Sequence, residues 1–371
     1  MKKTKWILAL IILGLSFGFT SCKDENDNNN DNPSTTQNLP NGIFVLCEGN
    51  DGMNNSSLLH YNLLNNEVVD IFDKINNQGL GDVGNDMELV GDKLFISVKG
   101  SASVNVLNSK TGKLIKRIPI VDENGANRKP SRLTQSSSMV YLCTVDGYVL
   151  EINPQSLSVG RKVKVGRNPE DICYLNGNLY VTNSGGLDWN TPVGYDRTVS
   201  VVDAQSMTET KKIDVGLNPA FIKPIANNRI GLIVRGNYSD VPNSFVTINT
   251  TNNEVESTNI VAMSNFDVIG NNIIYVNYDY IAMQASIKTY NYTTKTSSDF
   301  ITTPNVLSQI ISPYGVNVDN IYNEVYLTDA TSFASSGKVF VFDINGNFKY
   351  SFTTSNIPSI VIRVEFSQII Y

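Results

Sequence analysis

The chain has 371 residues, 41% hydrophobic and 17% charged. It is too apolar to be disordered and too long for one small domain. With 29 Lys and Arg against 35 Asp and Glu, the net charge is −6. That balance offers no basic face for nucleic acid, and a single His excludes multi-His metal sites.

The first predicted element is an address. Lys2, Lys3 and Lys5 precede an apolar run over 6–20, followed by Ser21 and Cys22. The run is short for a membrane span, and the pattern is that of a signal peptide over 1–21. Cys22 stands where a bacterial lipoprotein signal, which this segment resembles, places its acylated cysteine. Cys22 is therefore expected to be lipidated, with several acyl chains for durable anchoring. Residues 22–40 are almost wholly polar and predict a flexible tether. Lys23-Asp24-Glu25 resembles the acidic export signal of some Gram-negative surface lipoproteins. The expected location is the outer membrane, lipid-anchored, at the cell surface.

From residue 41 onward one hairpin signature recurs. An apolar residue is followed by Asn or Asp, four turn residues and a new strand. The anchors are Asn62, Asn108, Asn153, Asp203, Asn249, Asn291 and Asp343, spaced by 46, 45, 50, 46, 42 and 52 residues. Asn and Asp suit this place because their side chains bond backbone N–H groups just ahead. The period is that of propeller blades. Ahead of the turns lie strands over 43–47, 94–98, 140–145, 179–182, 230–234, 273–277 and 325–328. Six of these are preceded by a further apolar segment, near Met87, Leu133, Ile172, Phe221, Phe266 and Tyr314. The first repeat lacks one, and the C-terminus has a spare over 360–366. The pattern predicts an all-β, seven-bladed β-propeller over 41–371. The C-terminal strand completes the first blade and removes the open sheet edges.

With strands a to d running outward from the axis, the b–c and d–a connections share one face. The c–d turns on the other face are short and plain. The b–c loops are low in blades two and three and tall elsewhere, which makes a rim around a depression. Candidate ligand-binding residues lie there: Asn50, Asp51 and Asn54 in the first loop, Asp82 and Asn85 ahead of the second inner strand. Arg132, Arg167 and Asp171 lie at the next two inner strands, Trp189 and Tyr195 in the fourth loop, Arg235 and Tyr238 in the fifth, Tyr278 and Tyr280 in the sixth. Trp189 would serve either as a plug holding its loop down or as a ligand platform.

No catalytic motif accompanies His60, which reads as a satisfied or exposed side chain. No phosphate loop or metal-spaced Cys pair occurs, and neither catalytic residue, cofactor nor metal is expected. A calcium-dependent hydrolase of the lactonase type would draw on Asp82, Asp86, Asp171, Asn218 and Asn265. A quinone-dependent propeller would need Trp in every repeat, against two in the whole chain. Cys47, Cys143 and Cys173 sit in apolar runs and read as buried thiols.

The stretches over 43–62, 79–98 and 168–203 resemble the YncE-like seven-bladed propeller lipoproteins. Among these they are most similar to the BtuG-type proteins. The resemblance covers nearly all of the chain beyond the signal. It implies a non-enzymatic surface protein that captures cobalamin (vitamin B12) or another corrinoid and hands it to a TonB-dependent outer-membrane transporter. A glycan- or protein-binding adhesin and the calcium-dependent lactonase remain as alternatives.

Overall fold

The computed structural model describes residues 38–279 and 284–366. The signal, most of the tether, Cys22 and Tyr280 lie outside the described residues. Seven four-stranded antiparallel sheets follow one another around an axis. The first contains Pro358–Val364, Gly42–Cys47, Ser57–Asn62 and Val68–Asp70, in that order outward. Val45 pairs with Val361 on one side and Leu59 on the other. The C-terminal strand thus supplies the innermost strand of blade one, as the spare apolar segment implied, and closes the ring, leaving only the short outer edges of the blades.

Burial is highest in the middle strands of each blade and lowest in the outer ones. Gly42–Cys47 is buried at every position, whereas Ser158–Lys164, an outer strand, is exposed at six of its seven. Sandwiched strands therefore read largely as apolar runs, and water-facing polar residues concentrate in the outer strands. Full burial of a side chain such as Phe44 or Leu46 stabilises by about 1.5–3 kcal/mol.

All seven Asn or Asp anchors fold as the spacing demands. Asn153 accepts from the N–H groups of Gln155 and Ser156 at 2.9 Å each. Asp343 accepts likewise from Asn345 and Asn347. Each turn then has a residue with positive φ, for example Gly112 at 70°, Leu157 at 53° and Met207 at 54°. Glycine adopts this conformation freely. Leu157 and Met207 hold it at a cost of about 1–2 kcal/mol, offset because both side chains are buried in the core.

An α-helix was not anticipated. A short helix, Ile71–Asn76, follows an outer strand of only three residues in blade one. Asp70 caps it by accepting from the Asp73 N–H, and Ile71 and Phe72 are buried. The helix covers core that a longer outer strand would have covered.

The approaches to the inner strands share a device. Pro130, Pro169, Pro219, Pro313 and Pro358 each begin one, where a missing N–H does no harm. Four are preceded by a residue at positive φ: Lys129, Asn168, Asn218 and Ile357. A register shift follows each of the first four prolines. Such bulges redirect side chains, and here they precede or include Arg132, Asp171, Phe221 and Tyr314, which all line the axial cavity.

Candidate functional site

The inner strands surround a cavity of about 680 Å³ on the axis. Its wall is tied together by carboxylates. Asp86 accepts from the Leu133 N–H of the next blade at 2.6 Å, Asp171 from Ile222 at 3.0 Å and Asp267 from Val318 at 2.8 Å. The Asn317 amide oxygen makes the same bond to Val361, across the closure. All four residues join neighbouring blades, and Asp86, Asp171 and Asn317 also line the cavity.

Toward the rim the charges form pairs. Arg132 lies 3.6 Å from Asp86, and Arg235 lies 3.0 Å from Glu170. Both guanidinium groups sit over the ring of Phe221, at 5.3 and 5.6 Å from its centre. Such contacts favour cations over aromatic faces and hold both arginines beside the cavity. The Tyr314 hydroxyl donates to Glu48 at 2.9 Å, and its ring meets Phe333 edge-on. Deeper in, Lys223 pairs with Asp267 at 2.8 Å, and Gln135 donates to Glu88.

Burial dominates the titration of these acids. It pushes Asp171 up to about 6 despite the opposing charge of Arg132. It pushes Glu88 up to about 7, helped by the neighbouring charge of Asp86. Burial also raises Glu48, against the pull of Arg132. Desolvation disfavours the charged form in all three.

Five of the sequence candidates line this cavity: Arg132, Asp171, Arg235, Tyr238 and Tyr278. The other described candidates do not line it. Asp82 accepts from the Gly52 N–H at 3.0 Å, pinning the first loop. Asn50 donates to the Phe333 carbonyl at 2.9 Å, and its side-chain oxygen accepts from Asn356. Asp51 and Asn54 are exposed, and Asn85 donates to Ser131 at 3.4 Å. Arg167 is held within blade four by Asp188 and the Gly194 carbonyl, and Tyr195 is half-buried. Trp189 is 63% exposed, with Leu187 and Val193 exposed beside it, so it does not plug its loop.

Sequence reasoning left Glu48, Glu88, Lys223, Asp267, Tyr314 and Asn317 out of the site. A signal did exist for Asp86, Asp171 and Asp267, which recur at matching places in the inner strands of three blades. Among the described residues no group of three or more His, Cys, Asp or Glu could hold a metal ion. Of the residues named for calcium, Asp82, Asp86 and Asp171 each accept a backbone N–H. His60 is buried, with its Nε2 3.1 Å from the Pro40 carbonyl oxygen. The three cysteines are free and buried, and burial pushes the Cys47 thiol up to about 12.

No family model matches the chain, and no curated protein matches it. Solved structures do. A quinonprotein alcohol dehydrogenase-like protein from Bacteroides thetaiotaomicron superposes with a TM-score of 0.61 at 16% identity, covering 88% of this chain and 79% of its own. A functionally unknown protein from Desulfotomaculum acetoxidans gives 0.59 at 11% identity, covering 88% and 99%. Hydrazine synthase of Kuenenia stuttgartiensis gives 0.58 at 16%, covering 71% and 77%. The likeness is one of fold. These neighbours are distant, and their names carry no chemistry to this chain.

Proposed function

We propose that this propeller captures a small polar ligand at the mouth of its axial cavity, without turnover. The ligand is cobalamin or a related corrinoid. The observation that carries the reading is the cavity rim, where Arg132 and Arg235 flank Phe221 beside Tyr238. A flat ligand edged with amides finds donors, acceptors and aromatic faces there, and no nucleophile is needed. The corrinoid and the TonB-dependent transporter that would receive it come from the family resemblance. The membrane anchor comes from the signal ending at Cys22.

Titrating the purified protein with cyanocobalamin, followed by its visible spectrum and the heat of binding, tests this. Arg235→Ala and Tyr238→Ala should weaken binding; Arg235→Ala also leaves Glu170 without its partner, so affinity is measured well below the variant's melting temperature. A charged hydrogen bond is worth ~1.5–3 kcal/mol, so Arg235→Ala should cost roughly ten- to a hundredfold. Lys110→Ala, on the opposite face, should change nothing. Absence of corrinoid binding at micromolar protein would overturn the reading. The exposed Leu187, Trp189 and Val193 favour a second one, a glycan- or protein-binding adhesin using the blade-four loop.

A further inference from the structure

The outer strands divide the circumference by charge. Those of blades two and three, Leu114–Pro119 and Ser158–Lys164, carry Lys116, Arg117, Arg161, Lys162 and Lys164 and no acid. Blade four adds Lys211 and Lys212, against Glu209 and Asp214. The outer strands of blades five and six carry Glu254, Glu256 and Asp299 and no cation. In a chain of net charge −6, the outer-strand cations other than Lys349 of blade seven are gathered on one wall.

Part of that charge is spent internally. Arg161 pairs with Glu151, Lys162 with Glu123 and Lys212 with Glu209. Others meet only neutral groups. Arg117 donates to Asn105 and the Gly79 carbonyl, Lys164 to the Asp146 carbonyl and Lys211 to the Asn252 carbonyl. Lys113 and Lys116 are exposed on the same wall. Between the cations stand Ile115 and Val159, 47% and 40% exposed. Cations interleaved with exposed aliphatic side chains suit a surface of phosphate headgroups over hydrocarbon.

The place where the chain leaves the propeller gives the second argument. The Leu39 N–H donates to the Lys110 carbonyl at 2.7 Å, in the turn of blade two. Leu39 packs against the core cluster that holds Ile71 and Phe72. Leu39, close to the first described residue, therefore lies at the foot of the basic wall. Residues 22–37 could span up to about 55 Å, too long to set an orientation by themselves.

We propose that the outer wall of blades two to four docks on an anionic, phosphate-bearing lipid surface. The ring then lies on its side, with the cavity mouth open laterally. The orientation follows from which wall meets the lipid, and neither it nor the affinity of the wall for lipid depends on acylation of Cys22.

The test uses the mature chain, residues 22–371, carrying Cys22→Ala, so that no acyl chain contributes. Its co-sedimentation is measured with phosphatidylcholine vesicles and with vesicles also containing phosphatidylglycerol. Binding is expected only to the anionic vesicles, and it should vanish at about 0.5 M salt, where the screening length falls to a few ångströms. Changing Lys113, Lys116, Lys164 and Lys211 to Glu should weaken it by at least two orders of magnitude, since each cation near such a surface contributes roughly fivefold. All four side chains are exposed, and an unchanged circular dichroism melt verifies the fold. Equal binding to both vesicle types, no binding at low salt, or an unaffected variant would overturn the proposal. So would salt-dependent self-association without vesicle binding, which would make a second copy the partner. Acyl labelling of the wild-type chain is scored separately, so failure of the anchor and failure of the wall are distinguishable.

Discussion

The two faces of this propeller were built by different rules. On the c–d face one solution occurs seven times, an Asn or Asp folding back on the next backbone N–H groups. On the opposite face the b–c loops differ from one another. There Asp82 pins a loop, Arg167 stays inside its own, and Trp189 projects into water. Repetition marks the positions that every blade needs in order to fold. Variation marks the face free to acquire a ligand. Between the two lies the axis, where Asp86, Asp171 and Asp267 both join blades and line or border the cavity.

The comparison breaks most completely if the ring is opened. Deleting residues 357–371 removes the innermost strand of blade one and exposes both faces of the closure. The expected outcome is loss of cooperative folding, read by circular dichroism and proteolysis. A truncated chain melting at the parent temperature would show that closure is dispensable.

Asp171→Ala probes the axis. It leaves the buried Ile222 N–H without its acceptor and Arg132 with less compensating charge. A loss of about 2–4 kcal/mol in urea unfolding is expected, so any change in ligand affinity must be measured well below the new midpoint.

Glu88 gives a pH test. Its folded-state value, pushed up to about 7, lies above its ordinary one of 4.5. The folded protein then binds this proton more tightly than the unfolded chain does. The stabilisation is fully present below about pH 4.5 and is lost as pH rises toward 7. Glu88→Gln should flatten that window by an amount of order 1–2 kcal/mol, discounted for solvent in the cavity. An identical pH profile for the variant would show that Glu88 ionises normally.

The smallest effect belongs to the repeated face. Asn153→Ala removes the acceptor of two exposed N–H groups and should cost about 0.5–1 kcal/mol, with ligand affinity unchanged. A larger loss of affinity than of stability would mean that the plain face takes part in binding.

Fold and site were legible to different depths. The seven turns, the buried middle strands and the swapped C-terminal strand stood in the sequence because turn chemistry and apolar runs are local. The helix Ile71–Asn76 was missed because its signal, Asp70 before two buried residues, is too short to outweigh a strand period. Of the proposed site residues, Arg132, Asp171, Arg235, Tyr238 and Tyr278 reach the cavity. Sequence position alone could not sort them from Arg167 or Asn50, which satisfy their neighbours instead.

What the sequence determined by itself is periodic: the number of blades, the direction of each chain reversal and the closure of the ring. Those depend on contacts between residues a few positions apart, or on the count of strands. The tertiary structure alone decided which side chains converge. Glu48 and Tyr314 are 266 positions apart yet share a hydrogen bond at the cavity rim. Bulges after the inner-strand prolines aim residues at the axis by small register shifts that leave no mark in the hydrophobic pattern. The same holds for the basic wall, which exists only because three successive blades place their outer strands side by side.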